Sequence, residues 1–198
     1  HVLVRNTEKY RDLDILKDVV VTDDFNCVID AAPEIIIEVM GGIHPAKEYI
    51  FEALNHRINV VSANKDLVAE YGRELLDAAE STGADFLFEA AVAGGIPIIR
   101  PLKQCLAANE IGEITGIVNG TTNYILTKMY EDGMDFDEAL AKATELGYAE
   151  ADPTADIEGY DAGRKVAIMA SIAFRSRVVF SDVYTEGITK ISARDILY

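Results

Sequence analysis

Through the first half of the chain, short runs of β-branched and apolar residues alternate with stretches whose apolar positions recur at helical spacing. That pattern predicts βα units around a parallel sheet. The runs place strands at residues 2–5, 35–39, 59–62 and 85–89. Between them, residues 44–57 carry Ile50, Phe51, Ala53 and Leu54 at helical spacing, and residues 67–82 do likewise with Leu67, Leu75, Leu76 and Ala79. From about residue 85 the texture changes and a second domain is expected. A glycine-rich turn leads to a helix over 96–108 and a strand-like run over 113–118. Helices follow at 122–131, at 136–146 with Asp135 placed to cap it, and at 159–174; residues 178–186 read as another strand.

Composition narrows the classes of function. The 198 residues are 49% hydrophobic and 26% charged, enough to bury the core of one large or two small globular domains. With 34 acidic against 18 basic residues the net charge is -16, which repels nucleic acids and anionic membranes, so neither is an expected partner. Cys27 and Cys105 form no C-x-x-C pair and stand beside no histidine, which gives a zinc site or a disulfide framework no support. No apolar run approaches the roughly 20 residues needed to span a bilayer, and the chain does not open on a signal sequence. A soluble, cytoplasmic setting is expected.

Several stretches could carry chemistry. Ser62-Ala63-Asn64-Lys65-Asp66 follows a strand at the carboxyl edge of the sheet, where open α/β folds bind ligands, so Lys65 either faces a cofactor cleft or is an ordinary solvated lysine. Glu89 to Pro97 puts a carboxylate at a strand end before two glycines, which suits either an oxygen cage for a hard cation or a plain strand-to-helix turn with Pro97 in the first helical turn. Asn119-Gly120-Thr121-Thr122-Asn123 joins a β run to a helix, with a threonine hydroxyl available as a cap. Leu146 to Lys165 crowds Glu150, Asp152, Asp156, Glu158 and Asp161 with a lysine around one turn and one helix start. Asp161 and Lys165, four apart, share a helical face. On a surface such a pair contributes only about 0.2 to 0.5 kcal/mol. Val166, Ala167, Ile168, Ala170 and Ile172 instead put Lys165 at the edge of a core, where desolvation lowers a lysine pKa toward the range useful for proton transfer.

SANKDL, EAAVAGGIPI, GIVNGTTNYIL and LGYAEADPTADIEGYDAGRK, with the spacings between them, resemble the homoserine dehydrogenase family over essentially the whole chain. The resemblance implies an α/β fold class: an incomplete Rossmann-type dinucleotide-binding domain over 1–84, then an α+β catalytic and dimerisation domain over 85–198. It implies hydride transfer between a nicotinamide and the carbon that is aldehyde in L-aspartate 4-semialdehyde and alcohol in L-homoserine, within threonine, methionine and isoleucine biosynthesis. By the same resemblance Lys165 is the proton donor and Lys65 lies beside nicotinamide and substrate. Glu150 and Asp161 hold the substrate, assisted by Asp156, Thr121 and Tyr148, while Gly41 and Gly147 approach the cofactor. A monovalent cation, sodium or potassium, falls to the Glu89 side chain and the main-chain oxygens of Val92, Gly94 and Ile96. A homodimer or homotetramer is the implied assembly.

The chain departs from the family pattern in lacking a G-x-G-x-x-G turn, whose N–H groups would hold a pyrophosphate at a helix start. It opens in what looks like the second strand of such a unit and stops at Ile196-Leu197-Tyr198 without a terminating signal, so both ends read as cuts through a longer protein. Where an NAD enzyme offers an acidic residue to the ribose, this chain has Arg5, with Lys9 nearby, which favours NADP over NAD. Two competing readings are another semialdehyde or amino-acid dehydrogenase of the same plan and a catalytically dead sensing or dimerisation module. Retention of both lysines and the acidic cluster speaks against the second.

Overall fold

Parallel pairing begins with the first residues: β1 (Val2–Leu3) lies beside β2 (Val21–Thr22), with Val2 opposite Val21. The computed structural model describes residues 1–10 and 13–198, which divide into two units, His1–Glu89 and Ala90–Tyr198.

In the first unit, α1 (Phe25–Asp30) follows β2 and is capped by the Asp24 side chain, which accepts from the Asn26 N–H. A second sheet runs β3 (Ile35–Glu38), β4 (Asn59–Ser62), β5 (Phe86–Leu87), all parallel. Successive parallel strands need a crossover, and α2 (Ala46–Asn55) and α3 (Lys65–Thr82) supply the two. Ile50 and Leu54 of α2, Leu67 and Leu75 of α3, and Val60 of β4 are fully buried where helices and sheet meet. Because side chains alternate along a strand, the other sheet face presents Ile35, Ile37 and Leu87, all exposed. The two crossover helices match the expected ones closely. β2 and α1 were not expected, since a two-residue strand carries no usable period.

The second unit is built on helices α4 (Gly120–Glu131), α5 (Phe136–Glu145), α6 (Thr154–Ile157), α7 (Tyr160–Ala173) and α8 (Ala193–Ile196). Ile125, Met129, Ala139, Ala143 and Ala149 form one of its core clusters, with Leu126, Phe136, Leu140, Ile157, Ile188 and Ile191 packed against it. Phe180 lies on α7 at Gly163, where an added Cβ would sit 2.7 Å from the ring, so only glycine admits this contact.

Two expected strands are absent among the described residues, and one expected helix is shorter. Among the described residues, 113–118 form no strand and Ile117 is exposed; residues 178–186 hold only a 3₁₀ turn, Phe180–Asp182. The reason is common to both: a strand exists through a partner's hydrogen bonds, and among the described residues this unit offers none. The helix expected over 96–108 is present but shorter, over residues 99–105, with a π turn at Pro101–Cys105 closed by the Leu106 N–H on the Pro101 carbonyl. Pro97 precedes the helix, and Pro101, which has no N–H to give, stands at the start of the π turn. Asp135 does occupy the position before α5, but its side chain makes no capping bond.

Candidate functional site

The residues singled out around α7 come together in the second unit. Lys165 Nζ donates to Asp161 Oδ2 at 2.6 Å and to the Val118 carbonyl at 2.6 Å. The pair is no surface ornament, since the side chains of Lys165 and Asp161 are only 16% and 6% exposed. An ammonium has three N–H bonds, and the third has no acceptor among the described residues. The ammonium is thus held by one carboxylate and one carbonyl.

Asp156, on α6, joins through Asn119. One N–H of the Asn119 side-chain amide goes to Asp156 Oδ1 at 2.7 Å and the other to Asp161 Oδ2 at 2.8 Å. Asn119 also caps α4, its Oδ1 accepting from the Thr122 N–H at 2.8 Å. The cap is thus the asparagine, not a threonine as expected. Thr121, buried, donates its hydroxyl to the Tyr148 carbonyl at 2.7 Å. The Tyr148 ring stacks on Tyr124 with centroids 4.6 Å apart. Gly147 closes α5 in the left-handed region (φ 77°), letting the Tyr148 N–H reach back to Ala143. Glu150 is exposed and makes none of these contacts. Sequence reasoning passed over Asn119, the Val118 carbonyl and Tyr124; Asn119 had a visible signal only as part of a turn.

In the first unit, Lys65 is the first residue of α3 and Gly41 (φ 74°) lies with Gly42 (φ 71°) in the turn after β3. Glu38, 4% exposed, organises that edge. Its carboxylate accepts from the Met40 N–H at 2.7 Å, the Ser62 hydroxyl at 2.6 Å and the Asn64 amide at 3.3 Å. Asn64 caps α3 through the Leu67 N–H and donates to the Gly42 carbonyl at 2.6 Å. The glycine turn and the residue before Lys65 are therefore held together. Arg5 is exposed just beyond β1.

At the turn read as a cation cage, Ala93 (φ 60°) and Gly94 (φ 56°) are consecutive left-handed residues, and the Ala93 carbonyl is taken by the Ile96 N–H. Successive residues of this kind bend the backbone sharply. Val92 is buried and Ile96 exposed.

A parallel β/α unit with a ligand edge, followed by a separate helical unit carrying a lysine and carboxylate cluster, defines an α/β protein of Rossmann type with a catalytic domain. Its family follows from comparison: residues 97–198 match the family model of homoserine dehydrogenase, and residues 1–89 that of the homoserine dehydrogenase NAD binding domain. The chain belongs to the homoserine dehydrogenase family. It is 50% identical to the homoserine dehydrogenase of Synechocystis over 195 residues, 98% of this chain and 45% of that protein. Its fold matches the crystal structure of a homoserine dehydrogenase from Thiobacillus denitrificans with a TM-score of 0.92 at 45% identity, covering 99% of this chain and 45% of that one. A hyperthermophilic archaeal homoserine dehydrogenase in complex with NADPH matches with a TM-score of 0.79 at 30% identity, covering 93% of this chain and 58% of that one. The chain spans about half the length of the curated relatives it matches.

Proposed function

We propose that the protein containing this chain interconverts L-aspartate 4-semialdehyde and L-homoserine with NADP as its nicotinamide cofactor, in the cytoplasm. The observation that carries the reading is the Lys165 ammonium, held by Asp161 and the Val118 carbonyl with one N–H remaining. The cofactor would supply or accept the hydride. When hydride reaches the aldehyde carbon, the carbonyl oxygen becomes an alkoxide that needs a proton, and Lys165 gives it; in the reverse direction Lys165 removes the hydroxyl proton. Asp161 and Asp156 offer negative charge to the substrate's α-ammonium group, with Glu150, Thr121 and Tyr148 completing the binding set. On the first unit, the Gly41 turn and Lys65 serve the cofactor, as does Gly147 on the second.

The positive-φ pair Ala93 and Gly94 supports a sodium or potassium ion bound by the Glu89 side chain and the carbonyls of Val92, Gly94 and Ile96. The ion acts structurally. Replacing sodium by a bulky organic cation in the buffer should lower the melting temperature, and re-adding sodium should restore it; an unchanged melting temperature counts against the site. The exposed Ile114 and Ile117, in a segment that forms no strand among the described residues, support assembly into a homodimer or homotetramer.

The direct test is homoserine-dependent reduction of NADP⁺ by the intact enzyme. Arg5→Asp should weaken NADPH by about 10- to 100-fold and leave NADH nearly unchanged, since the contact removed is a charge-assisted bond to the 2′-phosphate. Equal loss for both cofactors would remove Arg5 from the cofactor site.

A further inference from the structure

Asn119 lies at the centre of the acidic site with all of its hydrogen-bonding capacity committed. Its two N–H bonds go to Asp156 and Asp161, and its oxygen accepts from the Thr122 N–H at 2.8 Å and the Thr122 hydroxyl at 3.0 Å. The orientation of the amide is chemically fixed, because the reverse would aim its oxygen at two carboxylates and its N–H bonds at a backbone donor. The side chain is 7% exposed, so water does not substitute for these partners.

Capping α4 needs only the oxygen, and serine or aspartate would do it as well. The two N–H bonds do something a cap does not require. They cross-link carboxylates on two different helices, α6 and α7, which would otherwise repel one another, and they do so without adding a positive charge. The set Asp156, Asp161 and Lys165 therefore holds two carboxylates and one ammonium at a fixed spacing. A lysine or arginine in place of Asn119 would hold the carboxylates equally close but add a positive charge.

We propose that Asn119 is a positioning residue for the ammonium group of the substrate: it locks Asp156 and Asp161 at one spacing without adding a positive charge. The inference rests on the reading of this cluster as the site for an amino-acid substrate. Asn119→Ser separates the two roles, since serine retains the cap and loses both cross-links. In the intact enzyme Asn119→Ser should raise the KM for homoserine by about tenfold or more, the usual consequence of losing hydrogen bonds to charged groups. Its kcat should change by less than about threefold and its KM for NADP⁺ should hold, since neither bond of Lys165 is removed. Asn119→Ala should lose stability as well. Asn119→Asp, which keeps the cap and adds a third carboxylate, should lower the melting temperature as salt is removed. Independently of turnover, both Asn119 side-chain amide protons should resist solvent exchange by NMR, and one should lose protection in Asp156→Ala.

An unchanged homoserine KM in Asn119→Ser, or a KM change that merely follows the loss of melting temperature across the variants, overturns the assignment and leaves Asn119 a helix cap. Absence of homoserine turnover in the parent enzyme overturns the reading of the site itself, and the positioning role with it.

Discussion

Replacing Lys165 with alanine should lower kcat for homoserine oxidation by about 10² to 10⁴, the usual contribution of a positioned acid or base. The structure gives the reason in its hydrogen bonds. Asp161 and the Val118 carbonyl hold two of the three ammonium hydrogens at 2.6 Å, so the third is aimed rather than free to sweep. Cofactor affinity should hardly move, because the Lys165 ammonium bonds Asp161 and the Val118 carbonyl and no residue assigned to the cofactor. Lys65→Ala provides the control, measured at saturating cofactor. Near-normal kcat in Lys165→Ala together with its abolition in Lys65→Ala would reverse the roles, leaving Lys165 as the partner of the acidic cluster only.

Asp161→Ala should fail in a different way, raising KM for homoserine along with lowering kcat, and destabilising the fold. Asp161 is 4% exposed, and its carboxylate accepts from Lys165 Nζ and the Asn119 amide. Truncating it leaves a largely buried ammonium with only a carbonyl partner, a loss of about 3 to 5 kcal/mol in comparable buried pairs. Such a loss exceeds what a surface pair at the same helical spacing could cause. A double-mutant cycle checks the cause: Asp161→Ala combined with Lys165→Ala should unfold with less loss of stability than the sum of the single changes, since the second truncation removes the stranded charge. Strict additivity would mean the 2.6 Å contact carries no coupling.

Much of this fold was legible in the sequence because its determinants are local. The apolar spacing of Ile50, Ala53 and Leu54 specified α2, and Leu67, Leu75 and Ala79 specified α3, because a helix satisfies its own backbone and needs only one face covered. The 3.6-residue period likewise marked α4, α5 and α7, and the four-residue step from Asp161 to Lys165 guaranteed a shared face. The motifs also carried the family resemblance without any structure. What the sequence could not determine was every feature that depends on where distant segments land. Residues 113–118 have the composition of a strand, yet composition supplies no partner, and among the described residues the segment forms no strand. Whether Asp161 and Lys165 would be a solvated pair or a buried one was decided by packing, and so was the Val118 carbonyl 47 positions away that completes the lysine's setting. Asn119 is the clearest case. Its reach to Asp156 and Asp161, 37 and 42 residues on, leaves no trace in local pattern, because a side-chain amide follows no period and its partners are chosen only when α6 and α7 fold over the start of α4.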